Sequence, residues 1–184
     1  MQLQRLLIAG TITLQLAAIA SAVQPTFTAI DPPGVQRGTE VELTLRGARL
    51  DDAQELMLYQ PGVEVTNLEV VNASTLKAKL KIAPDCQLGF HAVRIRSETG
   101  ITDLRLFSVG ALPQVAEVEP NNDFAEPQAV AINSTVCGVV QTEDVDHFVI
   151  DAKKGQRITA ELEGLRLGNT FFDPYVAIMN KDRF

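Results

Sequence analysis

TLKAKLKI, Thr75–Ile82, decides the fold: Leu76, Ala78, Leu80 and Ile82 alternate with Lys77, Lys79 and Lys81 at a strict period of two. Successive side chains of a strand point to opposite faces, so this run buries one face and leaves the other in water. Upstream, residues 40–46 (EVELTLR) set Val41, Leu43 and Leu45 against Glu40, Glu42, Thr44 and Arg46. Downstream, Val93 and Ile95 oppose Arg94 and Arg96, with Ala92 placed less cleanly between polar neighbours, and residues 101–109 close the set. Turn chemistry separates the runs: Pro32-Pro33-Gly34, Arg37-Gly38, Arg46-Gly47, Pro61-Gly62, Pro84-Asp85 and Thr99-Gly100. Half-buried strands at this spacing make an antiparallel β-sandwich. The lysine run is expected on the solvated face of an edge strand.

The 184 residues leave room for one large or two small domains. There is no tryptophan and only 5% aromatic residues, so the cores must rest on Val, Leu, Ile and Ala. A net charge of −7 excludes nucleic acid and anionic membrane as partners, since both demand clustered Lys and Arg.

Residues 1–22 read as a signal peptide. Arg5 closes a short positive start, residues 6–19 are mostly apolar, and Ala20-Ser21-Ala22 fits small-x-small cleavage, giving a mature start at Val23. Thr11, Thr13 and Gln15 interrupt the run, and it falls short of the roughly 20 residues a membrane span needs. Export to periplasm, cell surface or medium follows, with no membrane attachment after cleavage. An oxidising compartment permits Cys86 and Cys137 to pair. They fall in different halves of the chain, however, and small buried thiols are the favoured reading. No Cys/His spacing suits zinc.

The order PPG, VELTLRGARL and LGFHAVRIRSETGITDLRLFSVG resembles a bacterial immunoglobulin-like domain of the IPT type, with the match covering roughly residues 24–110. The resemblance implies an immunoglobulin-like β-sandwich over residues 23–110. Ala111-Leu112-Pro113 then marks the joint, and residues 111–115 read as a short semi-rigid linker. Further strands are expected at about residues 128–132, 136–141, 147–151, 156–163 and 174–179. The chain is all-β on this reading, two tandem β-sandwich domains.

Residues 116–148 (AEVEPNNDFAEPQAVAINSTVCGVVQTEDVDHF) carry the clearest chemistry. From residue 106 to residue 152 there is no Lys or Arg, against eight carboxylates. A fold that gathers uncompensated carboxylates supplies a cation or leaves them solvated. Carboxylate and Asn oxygens suit a hard cation such as calcium. The same residues also serve as turn formers, because Asn and Asp bond to nearby backbone.

This half is similar to the pre-peptidase C-terminal domain, a secreted bacterial β-sandwich. Its pattern stands here as Glu117-Val-Glu119-Pro120-Asn121-Asn122, Gly138, Asp144-Val-Asp146-His147-Phe148 and Lys154-Gly155-Gln156, with Asp173 in a later strand. His147 departs from the usual Tyr. The family continues beyond the position of Phe184, so residues 116–184 are expected to be a partial domain, truncated at the chain end, in a fragment of a longer protein. The related collagen-binding domain of bacterial collagenases binds calcium through its acidic entry segment. That likeness implies Glu117, Glu119, Asn122 and Asp123 as metal ligands, with Asp144 and Asp146 opposite. The spacing does not match an EF-hand loop.

Catalytic chemistry finds little footing. His91 and His147 are the only histidines, and Ser74, Ser97, Ser108 and Ser134 lack a nucleophile-elbow context. Asp144 and Asp146 stand two apart on an expected turn with no aromatic sugar platform nearby, which argues against glycoside chemistry. Asn72-Ala-Ser74 and Asn133-Ser-Thr135 match the glycosylation sequon by chance. The expected role is a non-catalytic, exported binding or spacer module of a larger secreted bacterial protein, with an extracellular protein or polysaccharide as partner. The alternative is the accessory region of a secreted peptidase or other hydrolase whose catalytic domain lies beyond residue 184.

Overall fold

The computed structural model describes residues 23–168 and 174–182. The expected signal peptide, residue Asp173 and the chain end at Phe184 lie outside the described residues. The chain is all-β, with one 3-10 turn, Leu165–Leu167, among those residues.

Eight strands form two facing sheets. One has the order β1 (Thr26–Asp31), β3 (Glu40–Ala48), β6 (Thr75–Ile82), β5 (Val63–Asn72), all antiparallel. The other has the order β2 (Gly34–Gln36), β8 (Arg105–Gly110), β7 (Gly89–Ser97), β4 (Ala53–Leu58). Only β2 runs parallel to its neighbour. The chain changes sheets at Pro32-Pro33, where the missing N–H groups cannot extend the ladder to β3.

Between the sheets lies one apolar core. Leu76, Ala78, Leu80 and Ile82 fill it from β6, Leu43 and Leu45 from β3, Phe27 and Ile30 from β1. Val35, Leu56, Val93, Ile95, Phe107 and Val109 meet them from the second sheet. The buried set is thus the one the alternation prescribes.

Two sequence expectations change. β6 is an interior strand, so its lysines lie on the outer face of mid-sheet and not along an edge. There they find acidic neighbours across the ladder: Lys81 opposes Glu40 and Glu64, Lys79 opposes Glu42, and Lys77 opposes Glu69. Lys77 also reaches Glu42 diagonally at 3.1 Å. The pair is half-exposed, so it contributes at most about 1 kcal/mol. Gly47, read as part of a turn, sits inside β3, where a Cβ would stand 2.0 Å from the Thr26 carbonyl. Absence of a side chain lets β1 approach.

The second half is built from short parallel ladders. β9 (Gln114–Ala116) pairs with β11 (Thr135–Cys137), and β10 (Gln128–Ala129) with β12 (Phe148–Val149). The expected linker therefore ends in a strand. Residues 156–163 and 174–179 alternate or run apolar in sequence but carry no strand in the described residues. Alternation names the face a residue takes; it does not supply the neighbour that a strand requires.

Candidate metal centre

The entry segment after β9 is held by one amide. Gln128 accepts from Val118 N at 2.9 Å through Oε1 and donates to Ala116 O at 3.0 Å through Nε2, mimicking a strand partner. Glu117 N donates to Cys137 O at 3.0 Å, continuing the β9–β11 ladder by one bond. These bonds fix the backbone from which Glu117 and Glu119 project.

Across from them, Asp146 follows the acidic turn. One carboxylate oxygen each from Glu117, Glu119 and Asp146 lie within 4.8 Å of one another. Asn121 closes the site from below, 1% exposed, donating from Nδ2 to Glu117 Oε1 at 3.2 Å. Its backbone N–H donates to Glu119 Oε2 at 2.9 Å, and its carbonyl accepts from His147 N at 3.0 Å. That last bond ties the entry segment to the acidic turn. The His147 ring meets Phe124 edge-on at 5.9 Å, bracing the same junction.

The other oxygen of Glu117 accepts from Val139 N at 2.8 Å. Gly138 makes that approach feasible, since a Cβ there would stand 2.3 Å from Glu117 Oε2. Burial, with Glu117, Asp144 and Glu119 adding negative charge nearby, pushes the Asp146 carboxyl up from 3.8 to about 6.

Of the sequence-predicted ligands, the structure gathers Glu117, Glu119 and Asp146. Asp123 instead caps its own turn, accepting from Ala125 N at 2.9 Å. Asp144 does likewise, accepting from Gln141 N at 2.8 Å. Neither belongs to the group of three, and Asn122 is exposed. The buried amide oxygen belongs to Asn121, which the ligand set omitted. The adjacent NN pair offered no signal to choose between them.

A hard cation fits this donor set. Asn121 Oδ1 and Asp146 Oδ1 are buried without a hydrogen-bond partner, an arrangement that costs about 1–3 kcal/mol per atom unless something positive or donating meets them. The three gathered carboxylate oxygens, of Glu117, Glu119 and Asp146, are the donor type that hard cations such as calcium take.

His91 faces the core in phase with Val93 and Ile95, 2% exposed. Its Nε2 lies 2.7 Å from Gln87 O, and its ring packs 5.6 Å from Phe107. It is a packing residue of the sandwich. Cys86 is buried and Cys137 half-buried, both as free thiols.

No family model matches the chain, and no curated protein matches it.

Proposed function

We propose that this chain is a non-catalytic, exported β module that serves as a binding or spacer unit, with calcium closing its second half. The observation that carries the reading is the convergence of Glu117, Glu119 and Asp146 within 4.8 Å of one another, with the buried Asn121 amide bonded to Glu117. Such a centre joins the entry segment that holds Glu117 and Glu119 to the turn that holds Asp146. Its physical effect is to fasten, by neutralising repulsion and satisfying orphaned oxygens.

The strand order supports an immunoglobulin-like first domain: β1-β3-β6-β5 follows the ABED order and β8-β7-β4 the GFC order, with β2 added as a parallel edge strand beside β8. The likeness of residues 116–184 to the pre-peptidase C-terminal domain supports a secreted setting. Extracellular protein or polysaccharide is the partner class that this setting offers.

Isothermal titration of the full chain with calcium and with magnesium tests the reading. Calcium binding at one site, abolished by Asp146→Ala, is expected. Absence of binding heat with either metal would remove the centre. Hydrolytic activity that is lost on mutating any residue between 23 and 182 would overturn the non-catalytic role.

A further inference from the structure

The connection between the halves is not loose chain. Gln36 Nε2 donates to Ala111 O at 3.4 Å, Arg37 N to Gly110 O at 2.9 Å, and Thr135 N to Pro113 O at 2.8 Å. β9 then pairs with β11 from Gln114–Thr135 through Ala116–Cys137. Gly34, buried on the sheet-edge strand β2, is where this ladder meets the sandwich. A Cβ on Gly34 would stand 3.1 Å from Gln114 Nε2 and 3.7 Å from Cys137 Sγ. So β9 and β11 each press a side chain onto the Gly34 backbone. A further contact arrives from far along the chain: the 3-10 turn Leu165–Leu167 lies against β8, and Leu167 is 8% exposed.

Relative motion is the default for two units joined by a linker with little interface. Here β9, β11 and the 3-10 turn of the second half all meet the β2–β8 side of the sandwich. We propose that Gly34, Gln114, Cys137 and Leu167 form a fixed joint that holds the two halves at one angle, making the chain a rigid spacer instead of two beads on a tether. This rests on the spacer reading above and adds its geometry: whatever is attached at either end is held at a set distance and orientation.

Nitrogen-15 relaxation on the full chain reads the tumbling of each half separately. One common rotational correlation time for residues 26–110 and 114–167 is expected; two distinct, shorter times would overturn the joint. Leu167→Asp places a charge in the contact without touching the sandwich core. It is expected to split the correlation times and to raise alkylation at Cys137, mapped by mass spectrometry, several-fold. A Leu167→Asp chain that tumbles as one body with unchanged Cys137 labelling would also overturn it. Neither readout depends on calcium binding or on hydrolytic activity, so failure of the joint is distinguishable from failure of the proposed role.

Discussion

Asn121 donates to Glu117 across 3.2 Å while its own Oδ1, buried with the rest of the side chain, meets no donor. The amide therefore relieves one carboxylate and leaves an acceptor in need. Amide nitrogen and oxygen are interchangeable by a flip, and a cation between Glu117, Glu119 and Asp146 would favour the oxygen turned inward. If calcium binds the folded state alone, stability rises by mass action, about 2.7 kcal/mol at a hundredfold excess over the dissociation constant. Thermal melts of wild type should differ between calcium and chelator, and those of a Glu119→Ala/Asp146→Ala double mutant should differ much less. Identical wild-type melts in the two buffers would leave these carboxylates as surface and turn residues.

Gly138 offers a gentler probe of the same centre. Alanine there would place its methyl 2.3 Å from Glu117 Oε2, and the flexible carboxylate is what must move. Gly138→Ala is expected to weaken calcium binding and, because Glu117 gives up its bonds to Val139 N and to the buried Asn121 amide, to lower the melt of the metal-free chain by about 1–2 kcal/mol. Titration calorimetry checks it; unaltered affinity would mean that Glu117 is not a ligand.

The pH dependence in chelator has a definite sign. Asp146 binds its proton more tightly folded, at about 6, than its ordinary value of 3.8, because of burial and the neighbouring Glu117, Asp144 and Glu119. Its contribution is therefore fully present below the ordinary value and is lost as pH rises through the folded one. Metal-free wild type should lose stability as pH rises from about 4 to about 6, the window set by those two values. Asp146→Asn, which carries no charge to bury, should flatten that slope and melt higher than wild type near neutrality. Parallel slopes for the two proteins would place the pH dependence elsewhere.

Much of this was legible in the alternation. Thr75–Ile82 named four core residues and three solvent-facing lysines, and residues 40–46 and 93–96 behaved likewise. β5 was not legible: its register shifts between Val65 and Asn67 and again between Val70 and Asn72 break the period on which recognition depends. Glycine in β3 looked like a turn because local chemistry cannot report a neighbouring strand that demands room. His91 looked polar and sits in the core, since a capped Nε2 and an aromatic neighbour make burial tolerable. At the acidic centre, composition named the carboxylates, three of which, Glu117, Glu119 and Asp146, the fold brings together. Which of Asn121 and Asn122 turns inward depends on the chain path after Pro120, and that path is a tertiary property.

The β1–β3 approach yields a test of the sandwich that is independent of the metal. A methyl group on Gly47 would meet the backbone carbonyl of Thr26 at 2.0 Å, with Leu50 Cδ1 at 3.0 Å behind it. Backbone cannot swing aside as a side chain can, so β1 must shift or its ladder to β3 must open. Overpacking of this kind costs about 1–3 kcal/mol. Leu80→Ala removes core volume from β6 and should cost about 2–5 kcal/mol, while Lys79→Ala on the opposite face should stay within about 0.5 kcal/mol. Urea melts rank the three: Leu80→Ala lowest, Gly47→Ala between, Lys79→Ala beside wild type. A Gly47→Ala chain as stable as wild type would show that β1 does not press on β3 there, and equal losses at Leu80 and Lys79 would contradict the assignment of faces in β6.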